Sequence, residues 1–172
     1  MTMGKVVKLP SEQHVVPQII TRSEMSAQRL NEFVELVGSG DAVDRQSVDK
    51  KLRKAQKVAF VERDGKMVAV AAMKKAIPSY AKKLSKLSGY DLADDVPELG
   101  YVVVLEGYRG QHLSTQVVQR ILPEFNNRSV FATTSDAKMK CVMKKQGFRR
   151  VGNEWDSKRP GKRLSLWIKE AQ

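Results

Sequence analysis

The chain has 172 residues, of which 41% are hydrophobic and 29% charged, and this composition predicts one globular domain and excludes disordered and fibrous classes. No apolar run approaches the ~20 residues of a membrane span, and the N-terminus lacks the apolar core of a secretory signal, so we expect a cytoplasmic protein with no membrane partner. Lys and Arg outnumber Asp and Glu by 31 to 19, and a net charge of +12 favours anionic partners.

The beginning of the chain carries little pattern. Residues 1–13 are predicted as a loose arm ahead of a single domain over residues 14–172. The segment His14–Ile20 has the composition of a strand. Pro17 places this strand at a sheet edge, because proline cannot donate a ladder hydrogen bond.

Two helices are predicted next. Ser23 is a candidate N-cap for a helix that runs through Val37 and ends at Gly38. A second helix is expected from about Arg45 to Gln56, with one short apolar face and one lysine-rich and arginine-rich face.

A hairpin and an insertion follow. Two apolar runs between Lys57 and Met73 are joined through Asp64-Gly65, which predicts a two-residue turn. The polar segment Ile77–Val96 is too long for a simple turn, and it is interpreted either as a substrate-side flap or as a short surface helix.

The most informative stretch is predicted as strand, tight loop and helix. An apolar run from Leu99 to Leu105 precedes a turn around Gly107 and Gly110. Helically spaced apolar positions then follow at Leu113, Val117, Val118 and Ile121. The start of such a helix has unpaired N–H groups and a positive dipole end, so this join is a candidate anion site to which Arg109 adds a charge.

The last third of the chain alternates strands and helices. Strands are expected at Ser129–Thr134, from Phe148 and at Arg163–Lys169, and a helix at Ala137–Lys145. Its cap is Ser135 or Asp136. The lone cysteine, Cys141, is interpreted as a small buried apolar group of that helix. One cysteine and two distant histidines provide no metal-ligand spacing, so no metal is expected.

This order of elements resembles the GNAT family of acetyl-CoA-dependent N-acetyltransferases over roughly residues 14 to 169. The family's signature is Gln or Arg, two residues, Gly, one residue, then Gly or Ala, and it falls on Arg109-Gly110-Gln111-His112-Leu113-Ser114. Gly147-Phe148 resembles a second family landmark. The resemblance implies an α/β (α+β) single domain, with a mixed sheet of about six to seven strands flanked by about four helices, and acetyl-CoA as co-substrate.

The resemblance also implies which residues hold the cofactor. They are the backbone of the strand at Val102, Val103 and Val104 and the loop residues Arg109, Gly110, Gln111, His112, Leu113 and Ser114. His112 stands where the family usually has Gly, and Ser114 where it has Gly or Ala. Side chains are tolerated there if the required φ is negative; the alternative is a degenerate loop that no longer binds coenzyme A.

The implied reaction is attack of an amine on a thioester, which needs a base, an oxyanion site and a thiolate leaving group. Glu98 resembles the strand glutamate that some family members use as base; the alternative is a strand-end charge paired with a lysine. Met143 stands where many members carry a tyrosine as general acid, and a thioether cannot protonate a thiolate. Ser135, Cys141 or water are the candidates for that role.

The acceptor is expected to be a primary amine. Coenzyme A phosphates hardly account for the excess positive charge, so one hypothesis is a polyanionic or nucleic-acid-linked acceptor, such as aminoacyl-tRNA or a modified DNA base. A plain cationic surface remains the alternative. A second class of function also stays open: a GNAT-fold module that binds nucleic acid or a partner without turnover.

Overall fold

The computed structural model describes residues 15–40, 50, 52 and 54–172. Within these ranges the chain forms seven strands and four α-helices. They are β1 (Gln18–Thr21), α1 (Ala27–Ser39), β2 (Ala55–Arg63), β3 (Lys66–Lys74), α2 (Pro78–Ser88), β4 (Glu98–Val104), α3 (Leu113–Ile121), β5 (Val130–Thr134), α4 (Ala137–Lys145), β6 (Arg149–Asp156) and β7 (Arg163–Lys169). The predicted arm over residues 1–13 lies outside the described residues.

The strands form one mixed sheet in the order β1-β2-β3-β4-β5-β7-β6. Neighbouring strands are antiparallel except β4 and β5, which are parallel. The predicted edge position of the first strand is confirmed, although that strand begins at Gln18 rather than at residue 14. The expected strand number, helix number and single mixed sheet are therefore confirmed.

The hairpin between β2 and β3 turns where the sequence predicts. Arg63 pairs with Lys66, and the two residues between them have positive φ, 50° at Asp64 and 74° at Gly65. Aspartate and glycine both tolerate this conformation, and its twist matches that of the flanking strands.

Alternating side chains divide the core between the two faces of the sheet. Ala71, Met73 and Leu99 pack with α3 on one face. Val70 and Ala72 pack with α1 on the other face. α2 lies on the α1 face over the far strands, because its buried residues pack against β5 and β7. Among the described residues, no helix has the length and apolar character to cross a membrane.

The predictions for α1, the second helix, the insertion and Cys141 need correction or a choice between alternatives. α1 begins after Ser26, whose Oγ accepts a hydrogen bond from the Arg29 N–H at 3.2 Å, because residues 22–24 form a separate 3-10 turn. It also runs past Gly38, to Ser39.

The second predicted helix lies mostly outside the described residues. It does not reach Gln56, because β2 begins at Ala55. The insertion at 77–96 contains α2, so the helical alternative is confirmed. Cys141 is exposed rather than buried, because α4 turns it towards solvent while Met143 fills the core.

Candidate active site

The two parallel strands in the middle of the sheet separate from each other. β4 and β5 are both fully described, and they pair at one position, Glu98 with Phe131, next to a 3.0 Å hydrogen bond from the Phe131 N–H to the Pro97 carbonyl. Beyond that point the strands diverge and leave unpaired backbone edges facing each other. The gap between them separates the two halves of the sheet over the rest of their length.

A cleft opens at this gap on each face of the sheet. On the α3 face, a cleft of about 340 Å³, here called the α3 cleft, lies between β4, β5 and the first turns of α3 and α4. On the opposite face, a cleft of about 660 Å³, here called the Glu98 cleft, lies beside the N-terminal part of α2. Gly100, Tyr101, Thr133, Thr134 and Asp136 line both clefts. The two clefts therefore meet through the sheet.

β4 carries a bulge where the clefts meet. Ala72 pairs with Gly100 and Val70 with Val103, so β4 has one more residue than β3 over this interval. Tyr101 in the bulge has φ 49°, which is unusual for a residue with a side chain. A bulge interrupts the ladder of hydrogen bonds between two strands and leaves backbone N–H and C=O groups without a partner in the ladder. This bulge lies where β4 separates from β5.

The helix α3 presents an open N-terminus to its cleft. Its N-cap residue, His112, makes no side-chain cap hydrogen bond. In contrast, α4 borders the same cleft but is capped by Asp136, whose Oδ1 accepts from the N–H groups of Lys138 at 2.7 Å and Met139 at 3.3 Å. The first turn of α3 is thus the helix end that can receive an anion, with the exposed Arg109 beside it.

The loop before α3 has two left-handed residues. Gly110 has φ 82°, and a Cβ there would meet nothing within 4 Å. His112 has φ 57°, so the condition of negative φ under which a side chain is readily tolerated is not met at this residue. The position where the GNAT signature has glycine is therefore one where the backbone itself favours glycine.

The Glu98 cleft contains a half-buried ion pair. Lys74 Nζ lies 2.8 Å from Glu98 Oε2, and their side chains are only 16% and 12% exposed. The two residues are direct cross-strand partners in β3 and β4. Lys74 Nζ also lies 4.5 Å from the ring centroid of Tyr101. The lysine-paired alternative for Glu98 is thus observed, within a cleft that also exposes the carboxylate.

Gly100 makes room for this ion pair. A Cβ on Gly100 would lie 2.7 Å from Lys74 Cε and 2.9 Å from its Nζ. Only a glycine lets the lysine side chain cross β4 and reach the glutamate in this arrangement.

Two tyrosines around the ion pair are held in the neutral form. Burial raises the pKa of Tyr80 to about 12, the charge of Glu98 adds to the shift, and a hydrogen bond with Thr133 acts in the opposite direction. Burial, then Glu98, then Tyr80, raises the pKa of Tyr101 as well. Both phenols are therefore uncharged hydroxyl groups at neutral pH.

A buried hydrogen-bond chain fixes the end of β5 at the gap. Trp167 Nε1 donates to Ser165 Oγ at 2.9 Å, and Ser165 Oγ donates to the Thr134 carbonyl at 3.2 Å. Thr134 Oγ1 in turn accepts from the Asp136 N–H at 3.0 Å. The strand end and the cap of α4 are thereby held in one geometry.

The residues predicted from the sequence divide between the two clefts. The α3 cleft is lined by most of the expected cofactor residues, namely Val102, Val103, Val104, Arg109, Gly110, His112, Leu113 and Ser114. Gln111 is not among its lining residues, and its carbonyl accepts from Gln116 Nε2 at 3.4 Å. Glu98 and Ser135 line the Glu98 cleft.

Three residues of the site were not singled out from the sequence as functional: Lys74, Gly100 and Tyr101. A glycine inside an apolar strand is a signal for a bulge or a close approach, and Gly100 was such a signal.

Met143 is fully buried at the wall of the α3 cleft. Cys141 lines neither cleft.

The single domain with a seven-stranded mixed sheet and four described helices is the fold expected from the resemblance, and the chain has the GNAT fold. The sequence matches no family model and no curated protein. The fold is shared with solved structures at low sequence identity.

ElaA of Escherichia coli has a TM-score of 0.69 and 18% identity, with 91% of this chain and 99% of that one covered. An acyl-CoA N-acyltransferase of Pseudomonas aeruginosa has a TM-score of 0.68 and 16% identity, with 90% and 99% covered. A GNAT-family acetyltransferase of Streptococcus agalactiae has a TM-score of 0.65 and 12% identity, with 91% and 96% covered.

Proposed function

We propose that the chain is an acyl-CoA-dependent N-acyltransferase that moves an acetyl group from acetyl-CoA to a primary amine, by direct attack in a ternary complex in the cytoplasm. The observation that carries the proposal is the passage through the sheet between β4 and β5. It joins a cleft with an open helix end to a cleft with a carboxylate, so two substrates that enter from opposite faces can meet.

The α3 cleft fits coenzyme A in two respects. The uncapped first turn of α3, with Arg109, suits a pyrophosphate, because N–H groups and the helix dipole favour negative charge. The gap between the strands has an apolar lining, including Val102, Ala132 and Met139, and it offers backbone groups that an extended amide-containing chain can use. Bound acetyl-CoA supplies the activated thioester.

The Glu98 cleft fits an amine. A primary amine arrives protonated, and Glu98 can take one of its protons. Glu98 and Asp136 are the two carboxylates that line this cleft, and Asp136 is used as the cap of α4. The bulge at Tyr101 frees backbone N–H groups of β4 for the carbonyl oxygen that gains charge, in line with the assignment to Val102, Val103 and Val104.

The leaving thiolate needs no dedicated protein acid. Met143 cannot donate a proton, Cys141 lies outside both clefts, and Ser135 lies on the opposite side of the sheet from the α3 cleft. Thiolate is a fair leaving group on its own, and through water it takes up the second proton that the nitrogen loses as the amide forms.

His112 supports a second candidate, a module that binds a partner without turnover. Its left-handed backbone and its exposed side chain stand where the signature has glycine. A loop that lost cofactor binding would show such a departure.

An acetyl-transfer assay tests the proposal. Purified protein is incubated with acetyl-CoA and a panel of primary amines, which includes small molecules, peptides and charged tRNA, and thiol release and acetylated product are measured together. Product formation supports the enzyme, and a parallel series of longer acyl-CoA donors decides whether acetyl is the preferred group. No binding of acetyl-CoA, together with no product from any amine, favours the second candidate.

A further inference from the structure

The Glu98 cleft has an unbalanced set of charges. Two carboxylates line it, Glu98 and Asp136, and four cations line it, Lys54, Lys74, Lys83 and Arg159. Glu98 is paired with Lys74, and Asp136 is used as the cap of α4. Neither carboxylate forms an ion pair with the other three cations, and cations outnumber carboxylates in the lining by four to two.

These three cations have no ion-pair partner within the part of the chain that the structure describes. Several other basic side chains do have one. Examples are Lys82 with Asp94, Lys140 and Arg150 with Glu154, Arg149 with Glu170, and Arg163 with Asp156. The Glu98 cleft thus gathers three cations without an ion-pair partner among the described residues, in addition to the Lys74 of the ion pair.

The three cations also come from three separate elements. Lys54 lies in the turn before β2, where its carbonyl accepts from the Lys75 N–H at 2.8 Å. Lys83 lies on α2, and Arg159 lies in the loop between β6 and β7, where its N–H donates to Ser157 Oγ at 3.2 Å. Their proximity is therefore not explained by the solvent-exposed face of a single helix, because the tertiary fold brings them to one cleft.

We infer that the acceptor carries an anionic group, carboxylate or phosphate, besides its amine, and that Lys54, Lys83 and Arg159 bind that group while the amine lies at Glu98. This inference rests on the proposed function. The cleft volume of about 660 Å³ accommodates such a molecule, since small-ligand sites span roughly 300–1,000 Å³. The three cations line the same cleft as the carboxylate of Glu98. The anionic group of the acceptor therefore binds to the cations, and its amine binds to Glu98.

Matched amines test the inference. Ethanolamine is compared with phosphoethanolamine, and propylamine with 4-aminobutyrate, so that each pair differs in an anionic group and the two pairs separate phosphate from carboxylate. The expected kcat/KM of at least one anionic member exceeds that of its neutral partner by about tenfold or more, the effect of a charge-assisted contact. Equal or lower kcat/KM for both anionic members overturns the inference, as does no turnover of either at about 10 mM.

A triple variant locates the effect. Lys54→Met, Lys83→Met and Arg159→Gln together are expected to raise KM for the anionic amine and to bring the ratio within the pair towards one. The matched control is Lys82→Met, next to Lys83 on α2 but outside the Glu98 cleft, and it is expected to leave the ratio unchanged. An unchanged ratio in the triple variant overturns the inference.

Calorimetry with acetyl-CoA separates two kinds of failure. If acetyl-CoA binds and the anionic amines have no advantage, the inference about the acceptor fails while the proposed function stands. If acetyl-CoA does not bind, the proposed function fails, and phosphoethanolamine is then titrated against wild-type protein and the triple variant. Equal affinities overturn the inference, and a loss of affinity in the variant supports it.

Discussion

Lys74 and Glu98 face each other across β3 and β4, with 2.8 Å between Nζ and Oε2, in the cleft where an amine is proposed to bind. The pair is largely shielded from solvent, so the lysine is a fixed neighbour of the candidate base rather than a passing surface contact. Under the proposed function the two residues have separable roles: the carboxylate accepts a proton, and the lysine positions the carboxylate.

Replacing Glu98 by Gln is expected to lower kcat by about 10² to 10⁴-fold, the range for loss of a general base. Lys74→Met also breaks the ion pair but keeps the carboxylate, so it is expected to retain turnover that Glu98→Gln lacks. Steady-state kinetics across pH 6 to 9 measures both, with Glu170→Gln as a surface control. Equal impairment of the two variants would show that only the ion pair matters, and unimpaired Glu98→Gln would remove Glu98 as base.

Gly100→Ala is expected to lower activity with little loss of stability. The added Cβ would meet the end of the Lys74 side chain, which is flexible and can move away from Glu98 without disturbing the backbone. Gly107→Ala is the matched control, since a Cβ on Gly107 meets nothing within 4 Å. Urea denaturation and kcat are measured for both variants. Full activity in Gly100→Ala would contradict a requirement for the ordered ion pair.

His112→Gly is expected to raise the free energy of unfolding by about 1 kcal/mol, because glycine adopts the left-handed backbone without strain. That corresponds to an increase of about 2–4 °C in Tm for a domain of this size. His112→Ala keeps the strain and is the control for loss of the imidazole.

The same two variants decide how the loop binds acetyl-CoA. If backbone N–H groups hold the phosphates, affinity measured by calorimetry is retained or improved in His112→Gly. Loss of affinity in both variants would instead show that the imidazole itself binds the cofactor.

Tyr80 is expected to make stability fall at alkaline pH. Its pKa is raised in the folded chain to about 12 from an ordinary value of 10.0, so the phenol ionises first in the unfolded chain. Its contribution to stability is therefore full below pH 10 and is lost as the pH rises from 10 to about 12. Urea denaturation through this range should give a shallower fall for Tyr80→Phe than for wild type. Identical slopes would contradict the shift.

Turns and helix ends that depend on neighbouring residues were mostly predictable from the sequence. The hairpin turn at Asp64-Gly65 was predictable because both residues tolerate the conformation that the turn needs. The helix α4 begins and ends as predicted because Asp136 is a strong cap next to a clear helical segment. The start of α1 was missed because Ser23 and Ser26 are both acceptable caps, and only the packing of the helix on the sheet chooses between them.

The contact between the proposed base and its lysine depends on how the strands pair. Glu98 was singled out from the sequence, but Lys74 was not, because the two residues meet only when β3 pairs with β4 in this register. The left-handed backbone of His112 was also missed, although the glycine that the family signature has at this position was a signal for positive φ.

Calorimetric titration of acetyl-CoA into the wild-type protein tests the central claim most directly, because every step of the proposed function requires that the α3 cleft hold this molecule. We predict saturable binding of one acetyl-CoA per chain with a dissociation constant of about 1–100 µM, the range of ordinary substrate affinity. No measurable heat at ligand concentrations up to about 1 mM would contradict the claim.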